Sequence, residues 1–414
     1  MKILLSKNIK TTLTTSFMSS LIYACTMPFM IIYLAKHTPT GTAGIIVILN
    51  VAVSFLAGIV GGYLADNHQR KRILFVFQTL YAVGLLTIVF NLSGLLAHIN
   101  WLVVGYFICG AAYNFYTPAY SAVVLDSTTR VNRKKVYQYE YWIFNLSMAI
   151  GASIGGFAFK NYLLPLFIGA VIMQLIVTLF LQMNLRYENK IMDRKDTKVI
   201  RHLFSTYAKV AKDRRWLMFV VGMALYQAAE FTMGTYTGVR LSKEFDMIHL
   251  FNIAIDGVRM LSVLQVINTL MVVFLTFLLT RITAGLKEKY VVFFGLLIYV
   301  TGYGVMATAN SITLLVPIMV IVTIGELVAT PLLSAREVDL IPDDKQASYL
   351  SFSGLSFQFA QLVAGFALTL GGFVSAFYIS VYIIVLGVIG VLFVSISLYH
   401  RKHQKTNPEA TSRI

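Results

Sequence analysis

The chain has 414 residues, of which 57 % are hydrophobic and only 13 % are charged, and its mean hydropathy is +0.74. Soluble domains carry about 25 % charged residues, so this composition excludes a protein with a water-facing surface all round. The formal net charge of +16 would suggest nucleic-acid binding in a soluble protein. In a membrane protein it reflects topology and attraction to the lipid surface, and we predict no nucleic-acid partner.

The chain contains repeated apolar runs that are each long enough to span a bilayer. A helix needs about 20 apolar residues to cross the hydrocarbon layer, and lipid cannot satisfy open backbone polar groups, so such spans must be helical. The sequence therefore predicts an all-α membrane protein with twelve transmembrane helices. The predicted spans are residues 12–35, 42–65, 73–93, 101–124, 138–159, 162–184, 216–239, 259–280, 290–309, 312–335, 349–371 and 374–398.

The distribution of basic residues predicts the orientation of these spans. With a cytoplasmic N-terminus, 29 of the 34 Lys and Arg residues fall in segments on the cytoplasmic side. The five on the outer side are Lys36, Lys160, Arg240, Lys243 and Arg259. Cytoplasmic loops carry an excess of Lys and Arg, so we expect a multi-pass protein of the cell membrane with both termini in the cytoplasm.

An internal repeat predicts two related halves. The pattern TPxxSAxxxD occurs at Thr117–Asp126 and again at Thr330–Asp339, an offset of 213 residues. Both copies end a predicted helix on the cytoplasmic side, so the halves form a parallel repeat with a substrate site at their interface. We therefore predict a six-helix half at 1–184, a basic cytoplasmic linker at 185–215, a second six-helix half at 216–398 and a cytoplasmic tail at 399–414. In the linker, apolar residues at helical spacing favour an amphipathic helix on the inner leaflet, with a partly disordered linker as the alternative.

Three acidic residues fall inside predicted spans: Glu140, Glu230 and Glu326. Ionisable groups within the membrane are costly and usually functional. A carboxyl group away from water can take up and release protons, and it can also hold a cationic ligand. Glu140 has the alternative role of charging a helix start, and Glu230 that of pairing with a basic residue; Arg259 is the only plausible cation within a span.

Polar and aromatic residues of the fourth and fifth spans complete the candidate site for proton coupling and substrate. The repeat aligns Tyr113 with Glu326, and Asn114 and Asn145 lie in the same two spans. Aromatic rings combined with carboxylates suit flat organic cations through stacking and cation–π contact. The alternative for any one of these aromatics is packing or anchoring at the membrane interface.

Two motifs resemble those of known transporters. The segment Gly62–Arg72, GYLADNHQRKR, resembles the loop 2–3 signature of the major facilitator superfamily, with Gln69 in place of its Gly. The resemblance implies that Asp66 and Arg70, followed by Lys71 and Arg72, belong to a charge network at the cytoplasmic seam between the halves. It also implies that Asp66 faces the start of the eleventh helix and that Asp126 is a third member.

The fifth span contains Ser147, Gly151, Gly155 and Gly156, which resemble the antiporter motif of proton-coupled drug exporters, with Ala152 in place of its Pro. The first three are four residues apart, so they form one small-residue face that permits close helix contact. This face is either a seam or hinge between helices, or ordinary tight packing.

Nearly the whole chain resembles the lactococcal-type multidrug/proton antiporters, most clearly at GGYLAD, GAAYNF, EYWIFNLSMAIGA, DGVRMLSV and IGELVATP. The resemblance implies the major facilitator fold and proton-driven export of lipophilic cations, which would confer antibiotic resistance. The residues that match charged positions of that family are Asp66, Asp126, Glu140, Arg259 and Glu326. At the family's seventh-span acid this chain has Gly234, with Glu230 about one turn away.

The leading hypothesis is therefore a proton-coupled exporter of lipophilic, cationic drugs that works by alternating access. One alternative is a dedicated transporter of a single metabolite, lipid precursor or peptide, and a remote one is a non-transporting membrane sensor or partner protein. No metal-ligand spacing, phosphate-binding loop or nucleophile–base motif predicts an enzyme or a cofactor. The expected partners are a small-molecule substrate, protons and the lipid bilayer, and we expect a monomer.

Overall fold

The computed structural model describes residues 6–129, 132–186, 207–250, 252–283, 285–341 and 346–399. Most of the linker lies outside the described residues, as does the tail from residue 400 onwards. Of the segment for which an amphipathic helix was predicted, only residues 207–210 are described, and they are helical. The described parts consist almost entirely of helices, because the long apolar runs leave the backbone no hydrogen-bond partners other than its own.

The first six helices pack together as one bundle. Helix α1 packs on α5 and α6, α4 packs on α2 and α3, and α3 packs on α6. Their bounds are α1 Lys7–His37, α2 Thr40–Asn67, α3 Arg70–Leu92, α4 Ile99–Ser127, α5 Arg133–Ala158 and α6 Leu163–Asn184.

The last six helices form a second bundle with a similar arrangement. Helix α7 packs on α11 and α12, α9 packs on α10 and α12, and α8 packs on α10. Their bounds are α7 Arg214–Glu244, α8 Gly257–Thr283, α9 Glu288–Met306, α10 Ile312–Asp339, α11 in two pieces at Gln346–Ser353 and Leu355–Leu370, and α12 Ala376–Tyr399. Two short antiparallel strands, β1 Ile248–Leu250 and β2 Ile253–Ile255, lie between α7 and α8.

Ten of the described helices are long and apolar enough to cross a membrane. The other two spans are the 29-residue α4 and α11, whose second piece is a shorter apolar helix. The predicted all-α membrane fold of twelve transmembrane helices is confirmed. The boundaries predicted for the two halves and the linker stay a prediction.

Three local features differ from the predicted spans. Helix α7 continues to Glu244 through a π-helical segment at Met233–Thr237, and α11 is interrupted at Gly354, a residue type that weakens helices. The hairpin of β1 and β2 was not predicted; its turn contains Asn252 with a φ of 62°, a conformation that Asn adopts more readily than most residues.

The helices alternate in direction, so the bundle has two faces. We call the end where α1 begins and α12 ends the terminal face, and the other end the opposite face. The two bundles meet mainly through α2 with α11 and α5 with α8. Near the opposite face, Lys243 Nζ donates to Thr40 Oγ1 over 2.8 Å, and Gly44 packs directly on the backbone of Thr369. These contacts close the space between the halves at the opposite face.

Candidate functional site

Two acidic side chains lie near mid-depth between the halves. Glu230 is near the middle of α7, and its side chain is accessible although it is far from either end of the helix. The phenol of Tyr299 on α9 donates a hydrogen bond of 2.6 Å to Glu230 Oε2. The sequence analysis left open whether Glu230 pairs with a basic residue. In the structure its partner is a neutral hydroxyl group.

Glu326 is the second acid and lies near the middle of α10. Asn268 on α8 donates from Nδ2 to Glu326 Oε2 over 2.9 Å and to Thr323 Oγ1 over 3.2 Å. Thr323 is fully buried, and its own hydroxyl donates to the carbonyl of Met319. These contacts fix the Asn268 amide, which in turn holds the Glu326 carboxylate with a neutral donor.

The two acids form one site that also faces the first half of the chain. Glu230 and Glu326 interact electrostatically with each other, and Tyr141 of α5 interacts with both. Asn145 donates to the carbonyl of Tyr141 over 2.9 Å and so lies on the same part of α5. Because α5 belongs to the first bundle and both acids belong to the second, the site spans the interface between the halves.

Three tyrosine rings cluster at the Glu230 side of the acid pair. The ring of Tyr299 lies 5.9 Å from that of Tyr226 and 5.0 Å from that of Tyr303, both in edge-on geometry. All three tyrosines are buried. The tyrosine cluster therefore forms an aromatic wall beside Glu230, and its Tyr299 hydroxyl group contacts the carboxylate directly.

The charge of this site is not compensated by basic side chains in the described part of the chain. The ion pairs found there are Arg70 with Asp126, Arg240 with Glu244 and Arg336 with Glu288, and none of them includes a central acid. Two carboxylates that share a partly desolvated space repel each other, and each is costly away from water. The arrangement can relieve this cost by binding a proton or a cation.

Glu140 and Arg259 are not part of this site. Glu140 is half-buried on α5 and interacts electrostatically with Tyr120 of α4. Arg259 lies near the opposite face, where its guanidinium is 5.2 Å from the ring centre of Phe157 and donates to the carbonyl of Ala254. Arg259 therefore links α8 to α5 and does not neutralise either central acid.

Tyr113 and Asn114 lie on α4, in the first bundle. The ring of Tyr113 is 5.6 Å from that of Tyr23 and 5.4 Å from that of Tyr116, so it belongs to an aromatic cluster of α1 and α4. Asn114 donates to the carbonyl of Gly110 and lines a cavity between the halves.

The predicted cytoplasmic gate motif lies at the terminal face. Arg70 Nη1 is 2.5 Å from Asp126 Oδ2, which joins α3 to the end of α4. Lys71 Nζ donates to the carbonyl of Leu185, while Asp66 and Arg72 are exposed. An added Cβ at Gly62 would meet no atom within 4 Å, so this glycine has open space beside it.

The small residues of the predicted antiporter motif contact two different helices. Gly151 and Gly155 pack on Leu21, Cys25 and Phe29 of α1, and Ser147 is fully buried. Gly156 instead packs on Ser262 of α8. Gly151 and Gly155 thus pack within the first bundle, whereas Gly156 packs across the interface between the halves.

Sequence reasoning missed Tyr141, Asn268 and Tyr299. Asn268 could have been found, because an amide within the apolar run VLQVINTLMVV needs a hydrogen-bond partner inside the membrane. Tyr299 could not be distinguished from the other tyrosines, because its contact with Glu230 joins residues 69 positions apart.

Comparisons with known proteins agree with this architecture. The sequence model described as Major Facilitator Superfamily matches residues 12–365. The chain is 24 % identical to a "Na(+), Li(+), K(+)/H(+) antiporter" of Planococcus maritimus, over 97 % of this chain and 98 % of that protein. It is 23 % identical to the uncharacterized MFS-type transporter YdeE of Escherichia coli strain K12, over 89 % of this chain and 91 % of that one.

Solved structures show the same fold at lower identity. A crystal structure of a POT family transporter in complex with a thioalcohol-conjugated peptide has a TM-score of 0.73 and 16 % identity, and covers 94 % of each chain. A crystal structure of PepTSo, also of the POT family, has a TM-score of 0.67 and 12 % identity, and covers 94 % of this chain and 97 % of that one. At this identity the likeness concerns the fold alone.

Proposed function

Because the chain belongs to the major facilitator superfamily, we propose that it is a proton-coupled antiporter that exports cations, with lipophilic organic cations as its substrates. The protein is a multi-pass membrane transporter and not an enzyme.

The acid pair Glu230 and Glu326 is the observation that carries the proposal. Each carboxylate has a neutral hydrogen-bond donor, Tyr299 or Asn268, and the two interact electrostatically. A bound cation and bound protons relieve the same repulsion between the carboxylates, so binding of one lowers the affinity of the acid pair for the other. Mutually exclusive binding of protons and substrate at one site is what an antiporter requires.

The arrangement of the halves supports alternating access. The contacts of Gly44 with Thr369 and of Gly156 with Ser262 lie near the opposite face, which leaves the acids to be reached from the terminal face. The excess of Lys and Arg in the segments at the terminal face supports its assignment to the cytoplasm. In this proposal the protein acts as a monomer in the cell membrane and takes up its substrate from the cytoplasm.

The test is efflux of a lipophilic cationic dye from energised cells or vesicles that contain the protein. We expect efflux to stop when a protonophore collapses the proton gradient and when Glu326→Gln removes one acid. Glu244→Gln is the matched control, because Glu244 lies at the end of α7 beside Arg240, away from the central acids. Dye efflux that continues unchanged in Glu326→Gln and with the protonophore would refute the proposed mechanism.

A second candidate substrate is an alkali metal cation. This candidate is favoured by the likeness to a Na(+), Li(+), K(+)/H(+) antiporter over almost the full length of both chains. The assay is proton movement across everted vesicles, followed with a pH-sensitive dye after addition of Na⁺, Li⁺ or K⁺. A response to these ions that is lost in Glu326→Gln, without efflux of the organic dye, would favour the alkali cation.

The peptide alternative is a third arm of the same experiment. The solved structures of similar fold include peptide transporters, but their low identity gives no reason to transfer that substrate. Peptide-driven proton movement through the wild type, together with the absence of any cation response, would replace both cation proposals.

A further inference from the structure

A cavity between the halves is separate from the acid pair. It lies among α2, α4 and α11, with a volume of about 160 Å³. Both halves and the last described part of the linker contribute to its wall. The lining residues are Ser54, Phe55, Gly58, Ile59, Asn114, Tyr207, Leu355 and Gln358.

The chemistry of this lining is uncharged and partly aromatic. None of its residues carries a carboxylate, an amine or a guanidinium group. Phe55 and Tyr207 supply rings, and Ile59 and Leu355 supply aliphatic surface. The Oε1 atom of Gln358 is buried and has no hydrogen-bond partner among the described residues. A buried acceptor without a partner costs free energy, so a ligand that donates a hydrogen bond there would be favoured.

The size of the cavity matches one aromatic ring. A cavity of about 150 Å³ is large enough to bind benzene, and this cavity is of that order. An added Cβ at Gly58 would meet no atom within 4 Å, so space is present directly beside the α2 backbone. Polar groups on half of the lining make the cavity a poor match for an acyl chain and a better one for a ring with an N–H group.

The linker side of the cavity is held in place by several contacts. The ring of Tyr207 lies edge-on to Phe352 of α11 at 5.7 Å. Nearby, Tyr349 donates to Asp213 over 3.3 Å, and its ring is 5.1 Å from that of Trp216. Tyr207 is therefore anchored to the first piece of α11 and forms a defined wall.

We propose that this cavity binds an aromatic ring of the exported cation, with Gln358 as acceptor for an N–H group on that ring. The inference rests on the proposed function, because it places a second part of the same substrate. The acids on α7 and α10 hold the positive charge, and the cavity selects the apolar part. Phe55, Tyr207 and Gln358 are specificity-determining residues in this scheme.

The test is equilibrium binding of two probes, ethidium and tetraphenylphosphonium, to the purified full-length protein in lipid nanodiscs. Gly58→Phe puts a phenyl ring where the ligand ring would lie. We expect it to weaken binding of both probes about tenfold or more, as for loss of a buried ring. Gly169→Phe is the matched control, since Gly169 on α6 is exposed and has the same open space.

Gln358→Leu tests the hydrogen bond with a substitution of similar size. Ethidium carries N–H groups and tetraphenylphosphonium has none, so we expect Gln358→Leu to weaken ethidium binding and to leave tetraphenylphosphonium binding unchanged. This comparison also stands if Gly58→Phe does not fold, because the second probe reports an intact site.

The outcomes separate the inference from the function on which it rests. If Glu326→Gln weakens binding of both probes while Gly58→Phe behaves like Gly169→Phe, the cavity is not part of the substrate site and the inference is overturned. Equal weakening of both probes by Gln358→Leu overturns the role of its amide. If the wild type binds neither probe, or Glu326→Gln has no effect, the proposed function itself fails.

Discussion

Gly44 on α2 is the position where the closed interface should be most sensitive to a single methyl group. An added Cβ there would lie 2.5 Å from the backbone nitrogen of Thr369 and 2.7 Å from its Cα. Ordinary contacts begin at 3.4 Å. The Thr369 side-chain hydroxyl is also in the way and could rotate aside, but the backbone nitrogen and Cα cannot. Gly44→Ala therefore requires α2 and α11 to move apart near the opposite face.

Gly44→Ala should destabilise only the conformation in which the halves meet at the opposite face. Overpacking of a tight contact costs about 1–3 kcal/mol, which corresponds to a factor of roughly 5–150 in a conformational equilibrium. The cost applies only when the halves meet at the opposite face, so we expect Gly44→Ala to shift the population toward conformations that are open there.

The assay is the distance between spin labels on the two halves in a cysteine-free background. Lys160 and Met247 are exposed and lie near the opposite face, on the first and second half respectively. Gly169→Ala serves as the control, because a Cβ at Gly169 meets no atom within 4 Å. If Gly44→Ala gives the same distance distribution as the wild type and this control, the reasoning about the interface is wrong.

Three further predictions concern hydrogen bonds and ion pairs. Tyr299→Phe removes the hydrogen-bond donor to Glu230. Since hydrogen bonds to charged groups contribute about 1.5–3 kcal/mol, we expect initial efflux rates to fall about tenfold or more. The control Tyr303→Phe should keep the wild-type rate. Arg215→Met removes two hydrogen bonds to carbonyls at the end of α12, so we expect a lower thermal unfolding temperature in detergent; an unchanged one would contradict this. The partly exposed pair of Arg70 and Asp126 should contribute no more than about 1 kcal/mol, to be measured by a double-mutant cycle of unfolding free energies.

The fold could be predicted from the sequence because the membrane leaves few alternatives. Long apolar runs and the uneven distribution of Lys and Arg define the spans, and the TPxxSAxxxD repeat predicts their grouping. The hairpin at residues 248–255 and the break at Gly354 could not be predicted in the same way. The hairpin lies in the short connection between α7 and α8, and glycine weakens the helix at residue 354. At both places, contacts with neighbouring residues decide the backbone conformation.

The candidate site was predictable only in part. Glu230 and Glu326 stand out because a carboxyl group inside an apolar span is rare. Their partners depend on how helices rotate against one another, which sequence spacing does not determine. For the same reason Arg259, the one cation considered for these acids, lies instead on Phe157 near the opposite face.

The position of the charges suggests how binding can be linked to movement. Both central acids and their hydrogen-bond donors Tyr299 and Asn268 belong to the second half, so relative motion of the halves leaves these contacts intact. Tyr141 belongs to the first half and interacts electrostatically with both acids. In the proposed alternating-access cycle, rocking of the halves would change the distance between Tyr141 and the acid pair, while a proton or cation on the acids would change their charge. Binding biases a conformational equilibrium only through interactions that differ between the two conformations. In the proposed cycle, the interaction of Tyr141 with the acids is one that would differ.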